Sequence, residues 1–198
     1  MSRAWAVRGV DPTSPLAANA RRILAVRIAE FWSYTPAVTV EAAVEPLHDL
    51  RIAAKRLRYT LELFRAVFGE TGERQIERIK AIQEELGEIH DHDVRIALIE
   101  GELQTLATEQ ATAIGQALAT APATDHAAIA ATAMRPPPDD PRRGLIALLG
   151  RQHASRREHY RAFVAVWDRH SDDGMRAELV ELSTTPVAGV TSSDESTA

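Results

Sequence analysis

The sequence predicts an all-α fold, a four-helix bundle with long helices and one longer crossover. Three observations carry that prediction. Apolar side chains recur at alternating steps of three and four through long segments, the stripe that an α-helix buries. No segment alternates apolar and polar residues as a half-buried strand would. Ala, Leu, Ile, Glu and Arg are abundant while aromatics make up 5% of the chain, a balance that leans towards helix.

Residues 1–14 read as an arm, in which DPTSP supplies a turn and a helix-start signal. A first helix is expected from Ser14 or Pro15 to about Tyr34, interrupted at Thr35–Pro36. The second runs from about Thr39 to Phe68, with Pro46 as a kink or true start and Gly69 as the stop. After a short loop at Glu70–Gly72, a third helix begins near Glu73 and buries Ile79, Ile82, Leu86, Ile89, Asp93 and Ile96. It continues to roughly Ala119, with Gly87 and Gly101 as points of bending. Residues 120–141 are rich in Ala and Pro and read as a linker with a short helical turn around Asp125–Met134. The fourth helix spans about Arg142 to His170, with Ile146, Leu149, His153, Arg156, Tyr160, Phe163 and Trp167 on its inner face. Residues 171–198 read as a largely disordered tail, which leaves 15–170 for the bundle.

At 198 residues and 45% hydrophobic content the chain holds one domain with an ample core. The absence of cysteine excludes disulfides, thiolate catalysis and thiolate metal sites. No run of about 18 apolar residues occurs, nor an N-terminal apolar core, so a cytoplasmic protein with no membrane association is expected. A net charge of −5 argues against broad coating of nucleic acid. Any basic site must act locally, through a focused patch.

Such a patch is visible between residues 47 and 68. Leu47, Leu50, Ala54, Leu57, Leu61, Phe64 and Phe68 form one apolar seam, and one position further on lie His48, Arg51, Lys55, Arg58, Glu62 and Arg65. Cations at these spacings repel one another on a helix. A rail of them beside the seam either solvates freely, pairs with Glu84, Glu85 or Glu88, or receives an anion. Guanidinium groups suit phosphate, because their planar fork donates two parallel charge-assisted hydrogen bonds.

The phrase LHDLRIAAKRLRYTLELF resembles the signature helix of the CHAD domain family, the conserved-histidine α-helical domains, with its His-x-x-Arg followed by Lys/Arg-Arg-x-Arg. The later phrase IKAIQEELGEIHDHDVRIALIE is similar to the next block of that family. This resemblance implies an all-α, non-catalytic domain that binds inorganic polyphosphate through a basic, histidine-containing channel. Carried over by position, it implies His48, Arg51, Lys55, Arg56 and Arg58 as binding residues, joined by Lys80. Arg156, which interrupts the apolar positions of the fourth helix, either lines the same cavity or pairs with Asp93. Typical members carry two four-helix units and only one is legible here, so a homodimer completing the channel is a further expectation. Recruitment to polyphosphate granules would be the resulting role, with no cofactor and no metal.

Two other classes remain open at this stage. His90, Asp91, His92 and Asp93 together with His48 offer pieces of a metal-dependent HD-type phosphohydrolase, although neighbours on a helix diverge by about 100°. A purely structural or partner-binding bundle would ignore polyphosphate altogether. Walker-type loops, Gly-x-Ser-x-Gly and His-Glu-x-x-His are missing from the sequence, which excludes the corresponding nucleotide and hydrolase sites.

Overall fold

Every regular element of the computed structural model is helical among the residues it describes, which are 3–133, 135 and 140–185. The helices are α1 (Leu16–Trp32), α2 (Thr35–Val38), α3 (Val44–Leu63), α4 (Arg65–Thr120), α5 (His126–Ala133), α6 (Pro141–Asp172) and α7 (Met175–Thr184). A 3₁₀ turn at Ala123–Asp125 precedes α5. The four long helices expected from the sequence are α1, α3, α4 and α6, and three shorter ones accompany them. No described helix is long and apolar enough to cross a membrane.

Two compact units share the chain. The first comprises Met1–Gly87 and Arg161–Ala198, the second Glu88–Tyr160, so α4 and α6 each contribute to both.

In the first unit α1 packs on α3 and α7. Its core joins Leu24 and Phe31 of α1 to Leu50, Leu57 and Leu61 of α3, Ile76, Ile79 and Ile82 of α4, and Phe163 of α6, all fully buried. The three-four spacing read from the sequence is what aligns these side chains on one stripe of each helix. Phe31, Trp32 and Trp167 meet with ring centroids 5.0–5.3 Å apart and close one end of this core. Such edge-on and tilted aromatic contacts add to what burial alone contributes.

The N-terminal arm is strapped along α1 by backbone contacts. Arg22 Nη1 donates to the Gly9 carbonyl at 2.6 Å and Arg27 Nη2 to the Trp5 carbonyl at 2.9 Å. Asp11 forms the turn, its carboxylate accepting from the Thr13 N–H and from the hydroxyls of Thr13 and Ser14. These bonds favour the ionised form and hold the Asp11 carboxyl below its ordinary range.

Pro46 lies in the first turn of α3, so it marks the start of that helix and not a kink. The second helix stops at Leu63, capped by Phe64, and not at Gly69. Gly69 instead interrupts α4, with φ 54° and ψ −148°, a region that an L side chain avoids. The helix resumes directly after it, and Glu70–Gly72 are helical where a loop was expected. Gly72 permits this, because a Cβ there would stand 2.6 Å from Cβ of Phe68. Gly87 and Gly101 keep helical backbone angles.

Within the segment read as a largely disordered tail, residues 175–184 form a helix. Asp173 and Gly174 form a turn, Gly174 at φ 75°, and α7 follows with Met175 and Leu179 fully buried. Glu178 between them accepts from Gln75 Nε2 at 2.8 Å and from Arg78 Nη1 at 3.1 Å. Two apolar side chains four residues apart were too sparse a pattern to stand out in the sequence, yet both face one core. Leu179→Ala should therefore cost about 3 kcal/mol in a urea melt. An unchanged midpoint would contradict the packing of α7. The remaining tail, residues 186–198, lies outside the described residues.

The second unit is an antiparallel pairing of the later part of α4 with the earlier part of α6. Arg142 bonds to Gln110, His92 Nδ1 lies 2.7 Å from Gln152 Oε1, and Arg156 pairs with Asp93. Asp140 caps α6, accepting from the Arg142 N–H at 2.9 Å, with Pro141 in the first helical position. The Arg142 guanidinium beside it lowers the Asp140 carboxyl to about 2. Apolar burial is thinner here, carried by Ile89, Ile96 and Ile99. Ile146, assigned from the sequence to an inner face, is 60% exposed, and His153 is exposed. Helix α5 buries no residue.

Candidate anion-binding site

Arg51, Lys55 and Arg58 stand at successive turns of α3, on one side of the helix and displaced from the seam that carries Leu50, Leu57 and Leu61 into the core. Seven residues of α-helix span about 10 Å, so three cationic heads are strung along that length. Helix α4 supplies the facing wall through Lys80 and, one turn further on, the adjacent Gln83 and Glu84. Together with Tyr59 these residues line a cleft of about 360 Å³ inside the first unit. Four of the seven lining residues are cationic and only Glu84 is acidic, so the cleft carries a local positive excess within a net-negative chain.

The cations are held in different ways. Arg58 Cζ lies 5.0 Å and Lys55 Nζ 5.6 Å from the centroid of the Tyr59 ring, whose electron-rich face attracts both. Tyr59 thus attracts two of the cations that line the cleft with it. Gly87 lies along Arg51, where an added Cβ would come within 4.0 Å of Nε. Lys80 leans on Glu77 at 2.6 Å in an exposed i,i+3 pair, which contributes little and can be exchanged for a ligand. Arg58 Nε is 3.7 Å from Glu62, beyond hydrogen-bond distance. Among the described residues no carboxylate pairs with Arg51 or Lys55.

Two buried polar atoms of this cleft lack a hydrogen-bond partner within the protein, Arg58 Nε and Gln83 Oε1. Buried polar groups are satisfied in the great majority of cases, and an unpaired one calls for a partner from outside. A ligand bringing oxygen acceptors would satisfy the guanidinium, and a bridging water could satisfy the amide.

The structure brings together Arg51, Lys55, Arg58 and Lys80 of the residues expected from the sequence, and it separates the others. His48 is half-buried one turn before Arg51 and does not line the cleft. Arg56, off the rail by its position, turns to α1 instead. There Glu30, with no exposed surface, accepts from Arg56 Nη1 at 2.6 Å and from Arg27. Arg56 thus pairs with a buried carboxylate, which needs cations around it, and is not among the residues lining the cleft. Arg156 resolves in the same direction. It is 7% exposed and bonded to Asp93, the ion-pair alternative read from the sequence. Sequence reasoning missed Tyr59 as a platform, though its position next to Arg58 and four residues after Lys55 was the available signal. Gln83 stood in the matched phrase without a role.

The metal set considered from the sequence does not assemble as such. Asp91 is exposed, 3.9 Å from Arg95, and Asp93 is taken by Arg156.

Comparison with known proteins returns one family. A family model described as CHAD domain matches residues 2–100, which include all of α1, α2 and α3 and the α4 wall of the cleft. Among curated proteins nothing matches the chain, and among solved structures nothing does either.

Proposed function

The chain belongs to the CHAD domain family, and from that premise we propose that it binds inorganic polyphosphate in the cleft between α3 and α4. One observation carries the reading: Arg51 and Lys55 line that cleft beside Arg58 and Lys80 with no carboxylate of the described residues paired to either of the first two. Cations left unneutralised in a concave site keep their full attraction for an incoming anion. A linear polyanion matches a linear rail, since one helical turn advances about 5.4 Å and a polyphosphate places a charge on every unit along a similar length. Arg51 and Arg58 would grip oxygens in pairs, while Lys55 and Lys80 would follow the chain as mobile charges.

The role is binding and not catalysis. The cleft is lined by donors, and its one carboxylate, Glu84, could not by itself hold the metal ions that phosphoanhydride cleavage calls for. Anchoring the protein to polyphosphate granules or to phosphate-handling partners would follow from such binding. A second copy of the chain, aligning its own rail with the first, would lengthen the groove for longer polymers and give a homodimer on the ligand.

Calorimetric titration with polyphosphates of defined length, at two salt concentrations and with RNA as competitor, tests the proposal. Affinity should rise with length until the rail is filled and fall steeply with salt, by the same counterion release seen with nucleic acids. RNA should compete weakly, because net charge −5 repels it outside the cleft. Absence of heat at every length would leave an inert bundle as the better reading.

A further inference from the structure

We propose that Glu88, His92 and His159, in the second unit, form a site for one divalent transition-metal ion of the zinc class. Glu88 and His92 stand four residues apart on α4, one above the other on a single face, and His159 comes from α6 across the helix pair. One ligand atom from each lies within 4.8 Å of the other two. A tetrahedral zinc with bonds of about 2.0–2.1 Å holds its donors roughly 3.3 Å apart. Closure therefore needs at most about 1.5 Å of side-chain movement, to which Glu88, exposed and with three rotatable bonds, contributes most freely.

The surroundings are those that a metal ligand requires. His92 is 7% exposed and its Nδ1 lies 2.7 Å from Gln152 Oε1. An amide oxygen only accepts, so Nδ1 is the donor in this contact and Nε2 is the ring nitrogen left for a metal. A partner on the second ring nitrogen is what fixes tautomer and orientation in metal-bound histidines. The rings of His92 and His159 run side by side, 5.6 Å apart and inclined by 29°. Next to them the Arg156–Asp93 ion pair locks the register of the two helices and cancels its own charge. Two neutral imidazoles and one carboxylate leave a bound dication with one net positive charge. Three protein ligands also leave a fourth position open, to be filled by water or by an oxyanion.

This site shares no residue with the cleft of the first unit, so its success or failure is independent of polyphosphate binding. The test uses the full-length chain without a histidine tag, stripped with a chelator and titrated with Zn²⁺ against a chromophoric competitor. The expected result is one ion per chain, and a rise in the thermal midpoint as zinc joins α4 to α6. His92→Ala and His159→Ala should each lose more than the roughly 10–100-fold that removal of a supporting partner costs, and Gln152→Ala should fall within that range. His153→Ala, an exposed neighbour on α6, serves as the control and should bind as the parent does. Co²⁺ in place of zinc should give the intense visible absorption of a four- or five-coordinate ion, lost in the His159 variant while helicity by circular dichroism is kept. No binding, or binding that survives both histidine substitutions, would overturn the site.

Discussion

Replacing Arg51 and Lys55 together by alanine should lower polyphosphate affinity by at least about a hundredfold at moderate salt. Hydrogen bonds to charged groups contribute about 1.5–3 kcal/mol each, and two of them amount to two decades or more in the dissociation constant. The slope of affinity against salt should flatten at the same time, since fewer counterions are released when fewer phosphates are neutralised. Folding should be spared. Lys55 is exposed, Arg51 is half-buried, and neither has an acidic partner among the described residues that would be stranded. Circular dichroism should thus match the parent, and the urea midpoint should move little. Arg51→Lys gives a finer reading, because it keeps the charge and removes the fork, and its loss should be several-fold and not complete. Retention of the double variant on a polyphosphate resin at the parent level would sink the cleft as the binding site.

Glu30→Ala should produce the opposite profile, a large loss of stability with the cleft untouched. Glu30 has no exposed surface, accepts from Arg27 and Arg56, and receives the Trp5 N–H at 3.4 Å. It therefore ties the arm and α3 to α1. Removing the carboxylate leaves two guanidinium groups facing each other across a buried gap. Breaking a buried pair from one side costs about 3–5 kcal/mol. The arginine side chains keep 12% and 24% of their surface, so water can reach them in part and the lower end, about 3 kcal/mol, is expected. Glu30→Gln keeps one acceptor and should lose less. Chemical denaturation measures both, and titration with polyphosphate on the folded variant should return the parent affinity. A Glu30→Ala protein as stable as the parent would show that the triad is dispensable. A drop in affinity without unfolding would return Arg56 to the ligand site.

The two variants probe residues that the sequence presents in one phrase, AAKRLRY, and their separation shows where the linear reading stops. Lys55 and Arg58 are three apart and share a face; Arg56 is one residue from Lys55 and about 100° around the helix. Periodicity thus placed Arg56 off the rail, but what it meets depends on α1, whose Glu30 sits 26 residues away. The same holds for His48. Its place in the seam-and-rail pattern is regular, yet the cleft begins one turn later, where α4 brings Lys80 and Gln83 opposite. Lys80 read as an ordinary surface lysine apart from its motif, and only the facing wall makes it part of the site.

The existence of the four long helices, the apolar stripes and the cationic rail are properties of one segment at a time. They follow from side-chain chemistry repeated at 3.6 residues per turn, and the sequence determined them unaided. Which cations find a carboxylate, which histidines become neighbours, and whether two apolar residues after Gly174 make a helix or a tail depend on pairs far apart in the chain. Such pairings are chosen by burial, where an unpaired charge is costly and a few well-placed methyl groups suffice to dock a helix. Only the tertiary structure could decide them, because no local pattern records the identity of a distant partner.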